Sequence, residues 1–119
     1  MKLYYFERLD VWNEARVFVK EIYLITCSFP DEEKFGISGQ LRRASLSICA
    51  NIAEGTSRQT EKDKARFINM AFSSALETVN FIILSHDLEF ITEEQYIKLR
   101  EKLEKITNQL NSLYNKYEK

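Results

Sequence analysis

Six basic side chains, set close together, are the residues of this sequence best suited to chemistry. Arg42, Arg43, Arg58, Lys62, Lys64 and Arg66 fall between residues 40 and 66 with only three acidic residues among them, so this third of the chain is net +3 while the segments on either side are −2 each. Guanidinium and ammonium groups gathered in this way suit phosphate oxygens. Such contacts give affinity for a nucleic-acid backbone without choosing a sequence. The plainer reading is ion pairing with acidic residues of another helix or another subunit. In a ring the same patch would repeat around an axis, and multivalency would then favour a polyanion.

Other reactive groups point away from catalysis. His86 is the one histidine, and the residue three before it is Ile83, so the Glu-x-x-His ligand motif of di-iron helical bundles is missing. No arginine lies between Arg66 and His86, which removes the Arg–His spacing of helical ribonucleases. His86 instead stands near the end of a helical stripe, where positive charge complements the helix dipole. Cys27 and Cys49 form no CxxC pair and suggest neither a zinc site nor a disulfide framework. Cys49, between Ile48 and Ala50 in an apolar stretch, reads as a packing thiol. Gly36, Gly39 and Gly55 match no phosphate-cradling loop. The expectation is a protein that is not an enzyme and uses no metal or cofactor.

The elements that must position these residues are helical. Val11, Ala15, Phe18, Ile22, Ile25 and Phe29 recur at spacings of four and three, one apolar helix face. Asp10 is a suitable N-cap for it, and Phe29-Pro30 ends it, because the residue before proline is driven out of the α region. Residues 31–39 form a connection with two of the three glycines. A second helix carries two stripes, Ile37, Leu41, Ala44 and Ile48, then Leu46, Cys49 and Ala53, which implies burial on more than one side. Ser45, Ser47, Ala50 and Asn51 on this helix allow close packing and hydrogen bonding to a neighbour, and Gly55 falls where a glycine cap would end it. Thr60 then caps a third helix with Glu61 and Asp63 in its first turn, followed by Ile68, Phe72, Ala75, Val79 and Ile82. Thr92 to Gln95 spell a capping box ahead of Tyr96, Leu99, Leu103, Ile106, Leu110, Leu113 and Tyr117.

These patterns predict an all-α protein, an antiparallel up-and-down four-helix bundle filling residues 1–119 as one domain, with helices at about 10–28, 38–56, 60–88 and 92–117. The third and fourth helices should outreach the first two. The overhang leaves apolar surface for another subunit, or for the aromatic arm before residue 10 that holds Tyr4, Tyr5 and Phe6. Composition agrees: 45% hydrophobic, 29% charged and a single proline exclude disorder and argue against a turn-rich β-sandwich. A net charge of −1 is far from that of a dedicated basic nucleic-acid binder, so any such surface must be local. No signal-peptide run opens the chain and no 18 consecutive apolar residues occur, so no membrane span is expected and a cytoplasmic location is.

Five short motifs also carry a resemblance: Leu9, Asp10, Val11 and Trp12 with Ala15; Phe29-Pro30; Glu33 to Gly36; Gln40 to Ala44; and Asn51 to Gly55. In their order and spacing the sequence resembles the ribosomal-protein-like four-helix bundle family encoded by intervening sequences of bacterial large-subunit rRNA genes, related to the accessory variability protein of diversity-generating retroelements. The resemblance spans nearly the whole chain. It implies a ring-shaped homopentamer without known enzymatic activity, whose accessory relative binds nucleic acid and a reverse transcriptase through a basic surface. It also implies that Trp12 and the Asn51–Gly55 segment are structural. The chain departs from that relative in being mildly acidic. The resulting expectation is a non-enzymatic oligomeric bundle that binds RNA, DNA or a ribonucleoprotein through its basic face. The alternative is a protein–protein adaptor with no affinity for nucleic acid.

Overall fold

The apolar stripes become four α-helices: α1 (Asp10–Thr26), α2 (Ile37–Thr56), α3 (Glu61–Asp87) and α4 (Glu93–Glu118), seen in a computed structural model that describes residues 1–118. There is no strand among the described residues, and the fold is all-α. Short 3₁₀ turns at Tyr5–Arg8 and Asp31–Glu33 fill the arm and the first connection.

The helix ends show which local signals decide. Thr60 Oγ1 accepts a hydrogen bond from the Asp63 N–H at 3.1 Å, an N-cap for α3. Thr92 and Gln95 close their capping box, with the Thr92 N–H donating to Gln95 Oε1 at 2.8 Å and the Gln95 N–H to Thr92 Oγ1 at 3.1 Å. Asp10 is not a cap. It is the first helical residue, Leu9 precedes it without a capping side chain, and Asn13 Nδ2 instead ties the arm down by donating to the Glu7 and Leu9 carbonyls. α2 starts at Ile37, inside the stretch expected to be a connection, because the Glu33 carboxylate accepts from the Ile37 N–H at 3.3 Å. Nor does Gly55 end α2: the helix runs on to Thr56, and no glycine has a positive φ.

Each helix touches its two neighbours, α1 with α2, α2 with α3, α3 with α4 and α4 with α1, while the diagonal pairs do not meet. The antiparallel sense shows in the side chains. Arg42 near the start of α2 reaches Tyr23 and Thr26 at the end of α1, and Lys64 at the start of α3 lies over Tyr117 at the end of α4. On the α1–α4 seam Lys102 pairs with Glu21 and Lys105 with Glu14. Phe18, Ile22, Ile48, Ile52, Ile68, Ile82, Ile106 and Leu110 fill the shared core and are fully buried. At about 1.5 Å per residue, the 27 residues of α3 and 26 of α4 outreach the 17 of α1 and 20 of α2. Tyr5 of the arm lies against Tyr117 at one end of the long pair, and Phe29 packs on Phe90 at the other, ring centroids 5.2 Å apart.

The most extensive helix contact is α2–α3, and small residues line part of it. Ser47 Oγ and Ser74 Oγ hydrogen-bond across it at 2.8 Å, and Asn51 Nδ2 donates to Ser47 Oγ and to the Ser47 carbonyl. The amide that could have faced another subunit thus closes a polar chain inside this one. Further along, a Cβ placed on Gly55 would stand 2.7 Å from Phe67 Cβ. That is far inside van der Waals contact, and Cβ is the end of a side chain least able to move away.

Gly55→Ala is therefore expected to force α2 and α3 apart at this corner and to cost about 1–3 kcal/mol, the usual range for overpacking. A fall in the urea midpoint without a change in slope would show it; an unchanged midpoint would mean that the corner relaxes freely.

Candidate nucleic-acid interface

The bundle divides the six basic residues between its two ends. Arg42 and Arg43 lie in the first two turns of α2. Arg58 follows the end of α2, and Lys62, Lys64 and Arg66 occupy the first turns of α3. The 14 residue steps of α2 from Arg42 to Thr56 put about 20 Å of helix between the groups. A continuous basic path through all six is not what the fold builds.

Arg42 is a fastener. Its Nε donates to Thr26 Oγ1 at 2.8 Å, its Nη2 donates to the Tyr23 carbonyl at 3.3 Å and to Cys27 Sγ at 3.7 Å, and its guanidinium lies over the Tyr23 ring, 4.6 Å from the centroid. These are the last groups of α1, where unpaired carbonyls and the negative end of the dipole attract a cation. Arg43, one residue on, is exposed and makes no hydrogen bond or ion pair among the described residues. Around this end stand exposed apolar side chains from three elements: Leu24 of α1, Phe35 in the first connection, and Leu84 and Leu88 at the end of α3. Phe35 is 90% exposed.

The second group sits on the corner that Gly55 creates. Phe67 provides a shelf: the Arg58 guanidinium lies 5.0 Å and the Arg66 guanidinium 4.7 Å from its ring centroid. Asp63 binds both. Its Oδ2 accepts from Arg58 Nε at 2.9 Å, and its Oδ1 accepts from Arg66 Nε at 3.0 Å and Nη2 at 2.8 Å. The Arg58 hydrogen bond, then that from Arg66, holds the Asp63 carboxyl below the usual carboxylate range. Lys64 pairs with Glu61 at 3.3 Å. Lys62 is exposed and has no such partner among the described residues. A concave surface of about 460 Å³ adjoins it, lined by Lys62, Asp63, Arg66 and Asn69 with Tyr114 and Glu118 of α4.

The sequence places Asp63 in the first turn of α3 only as a complement to the helix dipole, and gives Phe67 no part in the site. The i,i+3 spacing of Asp63 and Arg66 signals half the clamp. Arg58 arrives from the preceding turn, and only the fold brings it there.

The remaining reactive groups serve packing. His86 Nε2 lies 2.7 Å from Glu93 Oε1, and its ring stacks on Tyr96 with centroids 4.2 Å apart. Arg100 covers Tyr96 in turn and donates to its hydroxyl, so the turn between α3 and α4 is closed by a run of stacked groups. Trp12 meets Phe6 edge-on at 4.9 Å and carries the Arg16 guanidinium. Burial pushes the Cys49 thiol up to about 11, the nearby charge of Arg16 working weakly the other way, so at neutral pH it is neither a nucleophile nor a thiolate ligand. No group of three or more His, Cys, Asp or Glu that could hold a metal ion occurs among the described residues.

Against known proteins the likeness is consistent over the length of the chain. The sequence model of the 23S rRNA-intervening sequence protein family matches residues 7–112. Among solved structures, a protein of unknown function from the S23 ribosomal protein family of Bacteroides thetaiotaomicron superposes with a TM-score of 0.81 at 29% identity, covering 88% of this chain and 95% of that one. No curated protein matches at a significant level.

Two outcomes test this description. Arg42→Ala is expected to lower unfolding free energy by about 1–2 kcal/mol, because charge-assisted bonds to the end of α1 are lost, while Arg43→Ala stays within about 0.5 kcal/mol; urea melts of the two variants decide it. In the native protein at pH 8 a disulfide reagent should titrate the exposed Cys27 promptly and reach Cys49 only after denaturant is added; two fast equivalents would contradict the burial of Cys49.

Proposed function

From the premise that this chain belongs to the 23S rRNA-intervening sequence protein family, we propose that it is a non-enzymatic, self-associating helical bundle that contacts an RNA backbone through the corner between α2 and α3. The carrying observation is the gathering of Arg58, Lys62, Lys64 and Arg66 at that corner, with two of the guanidinium groups seated on one aromatic ring. Arg43, at the other end of α2, is an outlying cation on the same helix and joins the contact only if neighbouring copies bring it alongside. Contacts of this kind hold phosphates and leave base sequence unread. The family's description, which places its proteins in intervening sequences of 23S rRNA, supports RNA over DNA as the first ligand to try.

Self-association has its own support. α3 is long and apolar enough, by length and composition, to cross a membrane, although no uninterrupted apolar run reveals this in the sequence. Only 28% of its most apolar window is buried within the bundle. Met70, Leu76, Ile83, Leu84 and Leu88 of α3 remain at the surface, as do Leu46 of α2 and Phe35 in the first connection. Apolar surface of this extent marks an interface more often than a free surface. A second copy of the chain is the partner that the family resemblance favours, and a homopentamer is the closed ring it implies. In the alternative, the same apolar face receives a different protein and the chain acts as an adaptor.

Light scattering on micromolar protein should give a multiple of the 14.1 kDa chain mass, about 70 kDa for the pentamer. Fluorescence anisotropy should then show binding of a structured RNA that weakens steeply with salt, and Arg43→Glu/Lys62→Glu should weaken it several-fold at unchanged mass. That pair leaves the Arg42 fastener and the Asp63 clamp intact. A monomer mass sinks the ring. Absence of RNA binding even at low salt leaves the adaptor.

A further inference from the structure

Two of the four cations at the α2–α3 corner are already holding an oxyanion, and it belongs to their own chain. Asp63 presents one carboxylate oxygen to Arg58 and the other to Arg66, with three N–H···O bonds of 2.8–3.0 Å. Planar guanidinium groups converging on one small anion form the arrangement in which arginines take a phosphate. The two arginines come from opposite sides of the turn, and both rest on the Phe67 ring, so the fork keeps its shape for reasons that do not depend on the carboxylate. Nothing buries the pair. The side chains of Arg58, Asp63 and Arg66 are 45%, 29% and 60% exposed, and ion pairs in such surroundings are weak and exchange readily. The start of α3 does not need the clamp, since the Asp63 N–H is capped by Thr60 Oγ1. Lys62, exposed beside the fork, supplies a further cation for an incoming strand.

We propose that Asp63 is a built-in stand-in for phosphate: it occupies the Arg58–Arg66 fork in the free protein, is displaced when an RNA backbone phosphate enters, and so restrains RNA binding at this corner. The proposal rests on the RNA-binding reading above and adds its regulation. It also explains how a corner with four cations keeps a modest net charge, because Asp63 and Glu61 cancel half of it until a polyanion competes.

The test compares the full chain with Asp63→Asn and with Glu61→Gln, using a fluorescein-labelled RNA hairpin across a salt series. Each variant removes one negative charge from the first turn of α3, but only Asp63→Asn frees two arginines. Asp63→Asn is expected to bind about tenfold or more tighter at low salt with a log K against log salt slope changed by at most about one, because the same phosphates are contacted once Asp63 has been displaced. Glu61→Gln is expected to gain about threefold or less, with a slope change of at most about one. Adding Arg66→Gln to Asp63→Asn should lower the slope by about 0.9, one phosphate contact, and remove much of the gain. Oligomeric mass and thermal melting establish that each variant is folded, and Asp63→Ser carries the same expectation should the asparagine variant fail to fold. Equal gains in Asp63→Asn and Glu61→Gln would overturn the proposal as a mere effect of net charge. An unchanged or weaker Asp63→Asn, with the parent binding RNA, would overturn it while leaving the RNA reading intact. If neither the parent nor any variant binds, both readings fall together.

Discussion

Gly55 has no side chain at the point where α2 meets Phe67 of α3, and the rest of the corner is built on that gap. Because the helices come this close, Phe67 lies where Arg58, emerging from the end of α2, can share its ring with Arg66 from α3. Because both guanidinium groups are there, Asp63 can be gripped from two sides. Farther along the same seam, Ser47 and Ser74 replace apolar contact with a hydrogen bond short enough to need small residues around it, and Asn51 completes the polar chain. A larger residue at any of these places would widen the seam and pull apart side chains that lie far from one another in sequence. The packing of small residues is thus the step that turns a scatter of charges into a surface with defined geometry.

What the bare sequence discloses is the part governed by period and by capping. Spacings of three and four among Val11, Ala15, Phe18 and Ile22, or along Leu99, Leu103, Ile106 and Leu110, follow from 3.6 residues per turn and map directly onto the buried faces. Thr60 and Thr92 act through neighbours three residues away, which a reader of the chain can see. Asp10 and Gly55 were misleading because their roles are set elsewhere. The start of α1 is fixed by Asn13 reaching back to the arm, and the place of Gly55 by a helix that is distant in the pattern but adjacent in space. The six cations were legible as a composition. Their separation into two ends, with Arg42 spent on α1, depends on helix lengths and on the antiparallel return of the chain.

That separation gives the two ends of the bundle different characters. One end gathers Leu24, Phe35 and Leu88, surface that water solvates poorly. The other gathers Arg58, Lys62, Lys64 and Arg66, surface that salt screens. Protein contact and polyanion contact then answer to different variables, one to apolar area and the other to ionic strength, although Met70 beside Arg66 brings the two surfaces together at the basic corner. The resemblance to a family of bundles sits easily with this division, since a ring needs one set of contacts between neighbours and leaves another set repeated around its axis.

The Arg42 fastener has a consequence for how the molecule comes apart. Every helix contact but one joins elements that are consecutive in the chain, and the exception, α1 against α4, is the slightest of the four. α1 is also the shortest helix. The cheapest partial opening of the native state is therefore the departure of α1 from an otherwise intact α2–α3–α4 hairpin stack, with free energies of local opening graded from that edge inward. Arg42, reaching from α2 to the final turn of α1, adds to the free energy of that opening, and the chain's susceptibility to proteases and to exchange of its amide protons is governed there more than in the core.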